Sequence, residues 1–365
     1  MKNTFGQSVS VTLFGESHGT AIGAVIDGLA PGIKIDENYI NERLAHRRPS
    51  SSVDTARREP DKYSIVSGVF DGHTTGTPIC IVIPNEDKRS NDYSEMRSIA
   101  RPSHADYTAY LKYRGYEDYR GGGHFSGRIT AALVAAGAIA EIALSSLGIS
   151  LATHIKYCGG ISDRDFNDIA NDIKELKDKP FPVLSDCESG MVAAIEAAKA
   201  ECDSIGGTVE TAVFGMPGGV GEPWFDSVEG MISHAVFSVG GIKGIEFGSG
   251  FGFADMKGSS ANDSFNIKDG KIVTFTNHNG GINGGITNGM PIIFSCAVKP
   301  TPSIAKEQNT VDFIKNESTT LSVKGRHDPA IIKRICPVID AVTAITLCDM
   351  IALRYGTDVF SKGIN

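Results

Sequence analysis

The chain has 365 residues, 41% hydrophobic and 21% charged, a balance that suits a soluble globular protein with a substantial core. A formal charge of −8 argues against nucleic acid or an acidic membrane as partner. Seven scattered cysteines without a CxxC pair argue against a disulfide framework or a zinc knuckle and point to a reducing cytoplasm.

The N-terminal stretch has no apolar core of signal-peptide length, so no leader is expected. Alternation predicts a strand at Ser8–Phe14, and helical spacing predicts a helix over Glu37–His46 with Asp36 as its N-cap. Strands follow at Tyr63–Phe70 and Pro78–Ile83. Pro102 and Ser103 are expected to open and cap a helix. An Ala-rich helix is expected over Ile129–Leu147, closed by Gly148. Glu141 interrupts its apolar run, which therefore reads as a buried helix and not a membrane span. Further helices are expected over Asp163–Lys177, Cys187–Cys202, Asp226–Val239 and Val338–Tyr355. Strands are expected at Thr208–Phe214 and Pro291–Val298, and Leu176–Val183 reads as a surface turn. The elements do not alternate as βαβ units and no linker divides them. The fold class is therefore α+β with largely antiparallel sheet, in a single domain over residues 1–365.

The arginines carry the first functional signal. Eleven of the 15 lie in the first 130 residues, where there are only 5 lysines; the remainder has 4 arginines and 15 lysines. Arg donates two parallel hydrogen bonds to a carboxylate or phosphate and Lys does not, so this segregation points to anion recognition. Arg43 and Arg47 are four apart on one helix face, which suits an anion wall or a lid. Residues 101–130 add a triple glycine, Ser126 and Arg128 ahead of the Ala-rich helix. Consecutive glycines can turn backbone N–H groups toward an oxyanion without Cβ interference.

Two histidines sit in loops suited to chemistry. His18 lies in Gly15-Glu16-Ser17-His18-Gly19 behind a strand, and the segment fails as a nucleophile elbow. His104 lies in Arg101-Pro102-Ser103-His104-Ala105-Asp106-Tyr107. It reads as a general acid, or with Asp106 as part of a metal pair; the absence of further ligands at recognisable spacing favours acid–base work. Doubled glycines at 280–285, Lys299-Pro300-Thr301-Pro302-Ser303 and Gly325-Arg326-His327-Asp328-Pro329 form a C-terminal group of shaped polar loops. No Walker A or GxGxxG sequence is present.

Nine segments, in order, resemble the chorismate synthase family: GESHG at Gly15–Gly19, RRP at Arg47–Pro49, RREPD at Arg57–Asp61, SGVFDGHTTGTPI at Ser67–Ile79, RPSHADY at Arg101–Tyr107, YRGGG at Tyr119–Gly123, GIKGIEFGSGF at Gly241–Phe251, KPTPS at Lys299–Ser303 and GRHDP at Gly325–Pro329. The resemblance implies a β-α-β sandwich with helices between antiparallel sheets. It implies a homotetrameric lyase converting 5-enolpyruvylshikimate 3-phosphate to chorismate by anti-1,4 elimination of phosphate, with reduced FMN as cofactor and NADPH as a possible reductant.

The same resemblance implies site roles. His18 would protonate the leaving phosphate, His104 would protonate or hold the reduced flavin, and Asp328 would assist proton removal. FMN contacts would come from His124, Phe125, Ser126, Gly240, Gly241, Gly284, Lys299, Pro300, Thr301, Pro302, Ser303 and Arg326. Arg47, Arg48 and Arg128 would contact substrate or nicotinamide nucleotide. Where the family commonly reads GGGRSSARET this chain has GGGHFSGRIT, so His124 stands for an arginine and Phe125 for a serine. Val53 stands where an arginine is often found, Ser103 where a glycine is usual, and Ala330 where a cysteine is usual. Two other readings remain at this level: a metal-dependent phosphohydrolase using His18, His104, His327 and Asp328, and a non-catalytic anion-binding module.

Overall fold

The computed structural model describes residues 2–50, 53–54, 59–86, 97–323 and 327–364. One antiparallel sheet holds β1 (Thr4–Phe5), β2 (Ser10–Gly15), β3 (Ala21–Asp27), β4 (Ser64–Ser67) and β5 (Ile79–Pro84), in the order β1-β2-β3-β5-β4. A second holds β6 (Ser150–Cys158), β7 (Ile161–Ser162), β8 (Gly207–Phe214), β9 (Ile242–Phe247) and β10 (Ile292–Val298), in the order β9-β10-β8-β6-β7. Helices α1 (Glu37–Arg47), α2 (Asp106–Tyr113), α3 (Thr130–Ser145), α4 (Ile169–Lys177), α5 (Glu188–Ala200), α6 (Val228–Phe237) and α7 (Ile332–Tyr355) complete the main elements.

The expected sandwich is the one observed. Helix α3 lies on β3 and β5, α7 lies on β6 and β8, and the two helices pack against each other between the sheets. Both are long and apolar enough to cross a membrane, yet their apolar windows are 83% and 100% buried inside the protein. The close approach depends on small residues. A Cβ added to Gly137 of α3 would overlap the backbone and Cβ of Ala341 on α7. At the end of this layer the fully buried Asp349 accepts N–H bonds from Gln7, Ser8 and Val9, tying the start of the first sheet to α7.

Arg43 departs from the expected anion wall. It is buried in the helical layer, with Nε 3.2 Å from Glu141 of α3 and Nη2 on Asp340 of α7. Tyr39 donates to the other oxygen of Glu141 at 2.5 Å, and Thr153 donates to Asp340 at 2.6 Å. The i,i+4 spacing with Arg47 is real, but the face it marks points inward. The guanidinium serves to join three helices and a strand.

Two helix starts also differ from expectation. The helix expected from Asp163 begins at Ile169, after the N-cap Asp168, because Asp163 is engaged elsewhere. Its carboxylate accepts from His154 at 2.9 Å and from Leu184 N, Ser185 N and Ser185 Oγ, pinning the segment behind α4 to β6. The last helix begins at Ile332, not Val338, and carries Pro337 inside it. Pro337 removes one backbone donor, and the packing of the surrounding buried turns holds the helix together regardless.

His154 is buried between two carboxylates, with Nε2 3.1 Å from Glu210. Burial pulls the imidazole pKa down, but hydrogen bonds to Asp163 and Glu210 outweigh it and raise the value. The folded pKa therefore lies above the unfolded one. The stabilisation is fully present below about pH 6.5 and is lost as pH rises through the folded value. Urea unfolding at several pH values should show the wild type most stable relative to His154→Gln at about pH 6 or below, with the gap closing at higher pH. Gly137→Ala should lower stability by about 1–3 kcal/mol through overpacking. Helix propensity alone would favour alanine by about 1 kcal/mol, so the urea midpoint reports which effect wins.

Candidate active site

Strand β2 delivers Gly15 at φ 97°, and the Glu16–Gly19 turn follows, with Gly19 N donating to Glu16 O at 3.0 Å. This places Ser17 and His18 in the interior, at 0% and 5% exposure. Asn85, immediately after β5, closes the turn from behind. Its Nδ2 donates to Glu16 O at 2.9 Å and Gly19 O at 3.1 Å, while its Oδ1 accepts from Arg128 Nε at 2.9 Å. The amide therefore holds both ends of the loop that presents His18.

The triple glycine meets this loop from the other side. Gly121, Gly122 and Gly123 have φ of 59°, 82° and 53°, a left-handed run closed to side chains with a Cβ. A Cβ on Gly121 would overlap the Cε1–Nδ1 edge of His18. On Gly122 it would sit 3.4 Å from Cε1 and 3.6 Å from Nε2 of His104. Two consecutive backbone positions thus back onto the two imidazoles. Gly123 O accepts from Ser17 N at 3.0 Å, locking the two loops together.

The His104 loop is organised by Asp106. Its Oδ1 accepts from His104 Nδ1 at 2.8 Å and Arg101 Nη2 at 2.7 Å, and its Oδ2 from Arg101 N and Nε. Burial opposes ionisation of Asp106, but hydrogen bonds from Arg101 and His104 hold its carboxyl far below the usual range. Ser103, expected to cap a helix, instead takes φ 59°, and α2 starts at Asp106 behind an Ala105 N-cap with no side-chain bond. The left-handed residue turns the chain so that Lys299 Nζ reaches Ser103 O at 2.6 Å. Arg101 Nη1 lies 3.4 Å from Ser303 Oγ. The Lys299–Ser303 loop is thereby brought against His104.

The arginines divide. Arg47 and Arg128 converge on one buried carboxylate, Asp61, with Arg47 Nη2 at 2.6 Å and Arg128 Nη1 on the other oxygen. Burial raises the Asp61 pKa, but the two guanidiniums outweigh it and hold the group ionised below the ordinary range. Arg48 bonds Pro60 O at 2.9 Å. Asp328 pairs at 2.5 Å with Arg334 of α7, whose Nε donates to Arg47 O, so it is attached to the same arginine group. Arg57, Arg58 and Arg326 lie outside the described residues.

The family comparison settles what this assembly belongs to. The chorismate synthase family model matches residues 9–352. Among curated relatives, chorismate synthase of Chitinophaga pinensis is 48% identical over 352 residues, 96% of this chain and 97% of that protein. That of Aeropyrum pernix is 45% identical over 355 residues, covering 97% and 93%. A crystal structure of a chorismate synthase superposes with a TM-score of 0.74 at 27% identity, covering 96% of this chain and 93% of that one.

The chain belongs to the chorismate synthase family. It is accordingly a chorismate-forming lyase of aromatic biosynthesis. Against the family pattern, His124 uses Nδ1 to bond Gly15 O at 2.8 Å, so in its neutral form it offers a phosphate no donor and only the protonated ring does. Phe125 is 46% exposed and packs edge-on to Tyr113, while Ser126 Oγ accepts from Arg128 N. Val53 is buried in the core. Gly241 O accepts from Lys299 N at 2.9 Å, joining Gly240 and Gly241 to the Lys299 loop. Gly284 lies apart from these contacts, in the hairpin whose Gly285 O accepts the first amide of α6. Among the described residues no three His, Cys, Asp or Glu side chains converge as metal ligands, so a hydrolytic metal centre has no ligand set here.

Sequence reasoning missed Asn85 and Asp61 as organisers. Asp61 stood within the RREPD segment, but its two partners are 14 and 67 positions away. Asn85 carried no signal beyond following a strand. Gly121→Ala should test the glycine loop. It forces a Cβ into His18 at a left-handed φ, so chorismate formation should fall at least about 100-fold in kcat/KM while the thermal midpoint drops only a few degrees. Near-normal turnover would show that His18 tolerates displacement.

Proposed function

We propose that this chain converts 5-enolpyruvylshikimate 3-phosphate to chorismate and inorganic phosphate by anti-1,4 elimination, with reduced FMN as an obligatory cofactor. The observation that carries the reading is the adjacency of His18 and His104 to consecutive glycines of one loop. In that elimination the C–O bond to phosphate breaks with its electron pair, a ring hydrogen is lost, and the released electrons complete the new double bond. His18, on the Gly121 side, protonates the departing phosphate. His104, with Nδ1 on Asp106, holds or exchanges a proton at Nε2. Arg47, Arg48 and Arg128 neutralise the carboxylates and phosphate of the substrate. For Arg47 and Arg128 this means sharing or leaving Asp61 as the substrate arrives. Asp328, attached through Arg334 to the same group, assists removal of the ring hydrogen.

The cofactor reading has support in the Lys299–Ser303 loop. Thr301 Oγ1 is a buried oxygen without a hydrogen-bond partner among the described residues, in a loop fixed against His104 by Lys299 and Arg101. Such an atom fits a polar ligand group that the chain itself does not supply. Lys299 to Ser303, His124, Phe125, Ser126, Gly240, Gly241, Gly284 and Arg326 are the proposed holders of FMN. When bound, reduced FMN supplies transient electron density and is recovered reduced. NADPH is one source of that reduced state, and the buried Val53 brings no charge to it. We further place the enzyme in the cytoplasm as a single-domain homotetramer. Trp224, Phe225 and Phe251, at 87%, 93% and 85% exposure, are apolar surface suited to self-association.

Anaerobic reaction with photoreduced FMN should release one phosphate per chorismate without stoichiometric loss of reductant. His18→Ala and His104→Ala should each lower kcat by roughly 10²–10⁴-fold. Wild-type rates in both would sink the assignment, and turnover without flavin would sink the cofactor.

A further inference from the structure

The carboxylate of Asp106 is a hub for four hydrogen-bond donors from two residues, and the roles above leave it unassigned. Its Oδ1 takes His104 Nδ1 at 2.8 Å and Arg101 Nη2 at 2.7 Å; its Oδ2 takes Arg101 Nε at 2.8 Å and the Arg101 amide at 3.0 Å. Arg101 Nη2 and His104 Nδ1 are 3.0 Å apart because both donate to the same oxygen. The ionised carboxylate cannot donate, so its 2.8 Å contact with Nδ1 selects the tautomer that carries the proton there over the one in which a bare Nδ1 would accept from Arg101 Nη2. The Cε1–Nε2 edge of the ring faces Gly122. The reacting nitrogen is thereby fixed as Nε2.

We infer that Asp106 is a positioning residue for the lyase reaction: it fixes the tautomer and ring orientation of His104 so that Nε2 is presented beside Gly122, and it supplies the negative charge that offsets Arg101 when the ring is protonated. The inference rests on the role proposed for His104. Among the described residues several ionic groups face the ring. Arg101 and Asp106 touch it, and Arg97, Glu117 and Asp118 line the same cavity from the segments before and after α2. Lys299 adds a cation at the Ser103 carbonyl. Of the carboxylates, Asp106 is the one in hydrogen-bond contact with the imidazole. Its loss leaves the Arg101 guanidinium against the ring without a counter-ion.

Asp106→Asn keeps the shape and removes the charge. With reduced FMN supplied anaerobically, it should lower kcat by roughly 10–100-fold and leave KM for the substrate within about threefold, because His104 is not in the arginine group that holds the substrate anions. The pH–rate limb that disappears in His104→Ala should move to lower pH by about one unit in Asp106→Asn, since an imidazolium without its carboxylate is less stable. Asp106→Glu restores the charge at a displaced position. It should return the limb to its wild-type pH while kcat stays several-fold low, and it carries the test alone should Asp106→Asn not fold. A fully active Asp106→Glu together with an unshifted limb in Asp106→Asn would overturn the inference. If His104→Ala turns over at the wild-type rate, the role of His104 itself fails and the inference goes with it. If His104→Ala is inactive while Asp106→Asn behaves as wild type, only the positioning role is lost.

Discussion

The site depends on a place where no side chain fits. Gly121 and Gly122 adopt left-handed backbone; the space a Cβ on Gly121 would need belongs to His18, and a Cβ on Gly122 would lie in contact with His104. The two rings come from segments 86 positions apart, one following the strand that ends at Gly15 and one preceding α2. Neither segment contacts the other through a long-range ladder. The glycine loop supplies what a ladder would, a rigid backbone surface with a ring against each of two adjacent residues. The strain of the left-handed run is small for glycine and would be of order 1–3 kcal/mol per residue for any other type. That cost accounts for the composition of the loop more directly than flexibility does.

Charge is used in two distinct ways around this loop. In the helical layer, Arg43, Glu141 and Asp340 form a buried group closed by Tyr39 and Thr153. Buried ion pairs of this kind add little net stability over an apolar core, but removing one member leaves an uncompensated charge and costs about 3–5 kcal/mol. Nearer the site, Arg47 and Arg128 share the single carboxylate of Asp61. Two cations on one anion leave positive charge in excess, which is what an anionic substrate can use. The same spacing on one helix therefore sets Arg43 against two acids and Arg47 against one acid that it shares with a second guanidinium.

That division explains where the sequence was readable and where it was not. The strands ending at Phe214 and Val298 and the helix from Glu37 announced themselves through period and cap. The motif order led to the family and hence to the sandwich. Strand β6 was missed because its alternation is hidden: Leu151, Thr153 and Ile155 face the helices, while Ala152 and His154 face α4 and are buried as well. Pattern reading cannot separate two buried faces. Asp163 misled because a helix-capping residue type was bonded across the sheet to His154 instead. Ser103 misled for a related reason, a short polar residue that caps helices elsewhere being one that also tolerates a left-handed turn. In each case a tertiary partner, invisible in local sequence, decided between two uses of the same side chain.

Two of the departures from the family pattern sit at the rim of the glycine loop. His124 and Phe125 follow the glycines, and neither backs onto His18 or His104. His124 ties to Gly15 O at the end of β2, and Phe125 leans on Tyr113 at the rim. The His124 bond holds the strand end from which the His18 turn starts, while Phe125 lines the cavity that also holds His104. With Nδ1 committed to Gly15 O, His124 has only Nε2 left for a ligand, an acceptor in the neutral ring and a donor in the protonated one. The loop thus divides its length between two uses: Gly121 and Gly122 give bare backbone to the two rings, and side chains return only at His124, the next residue that has a Cβ.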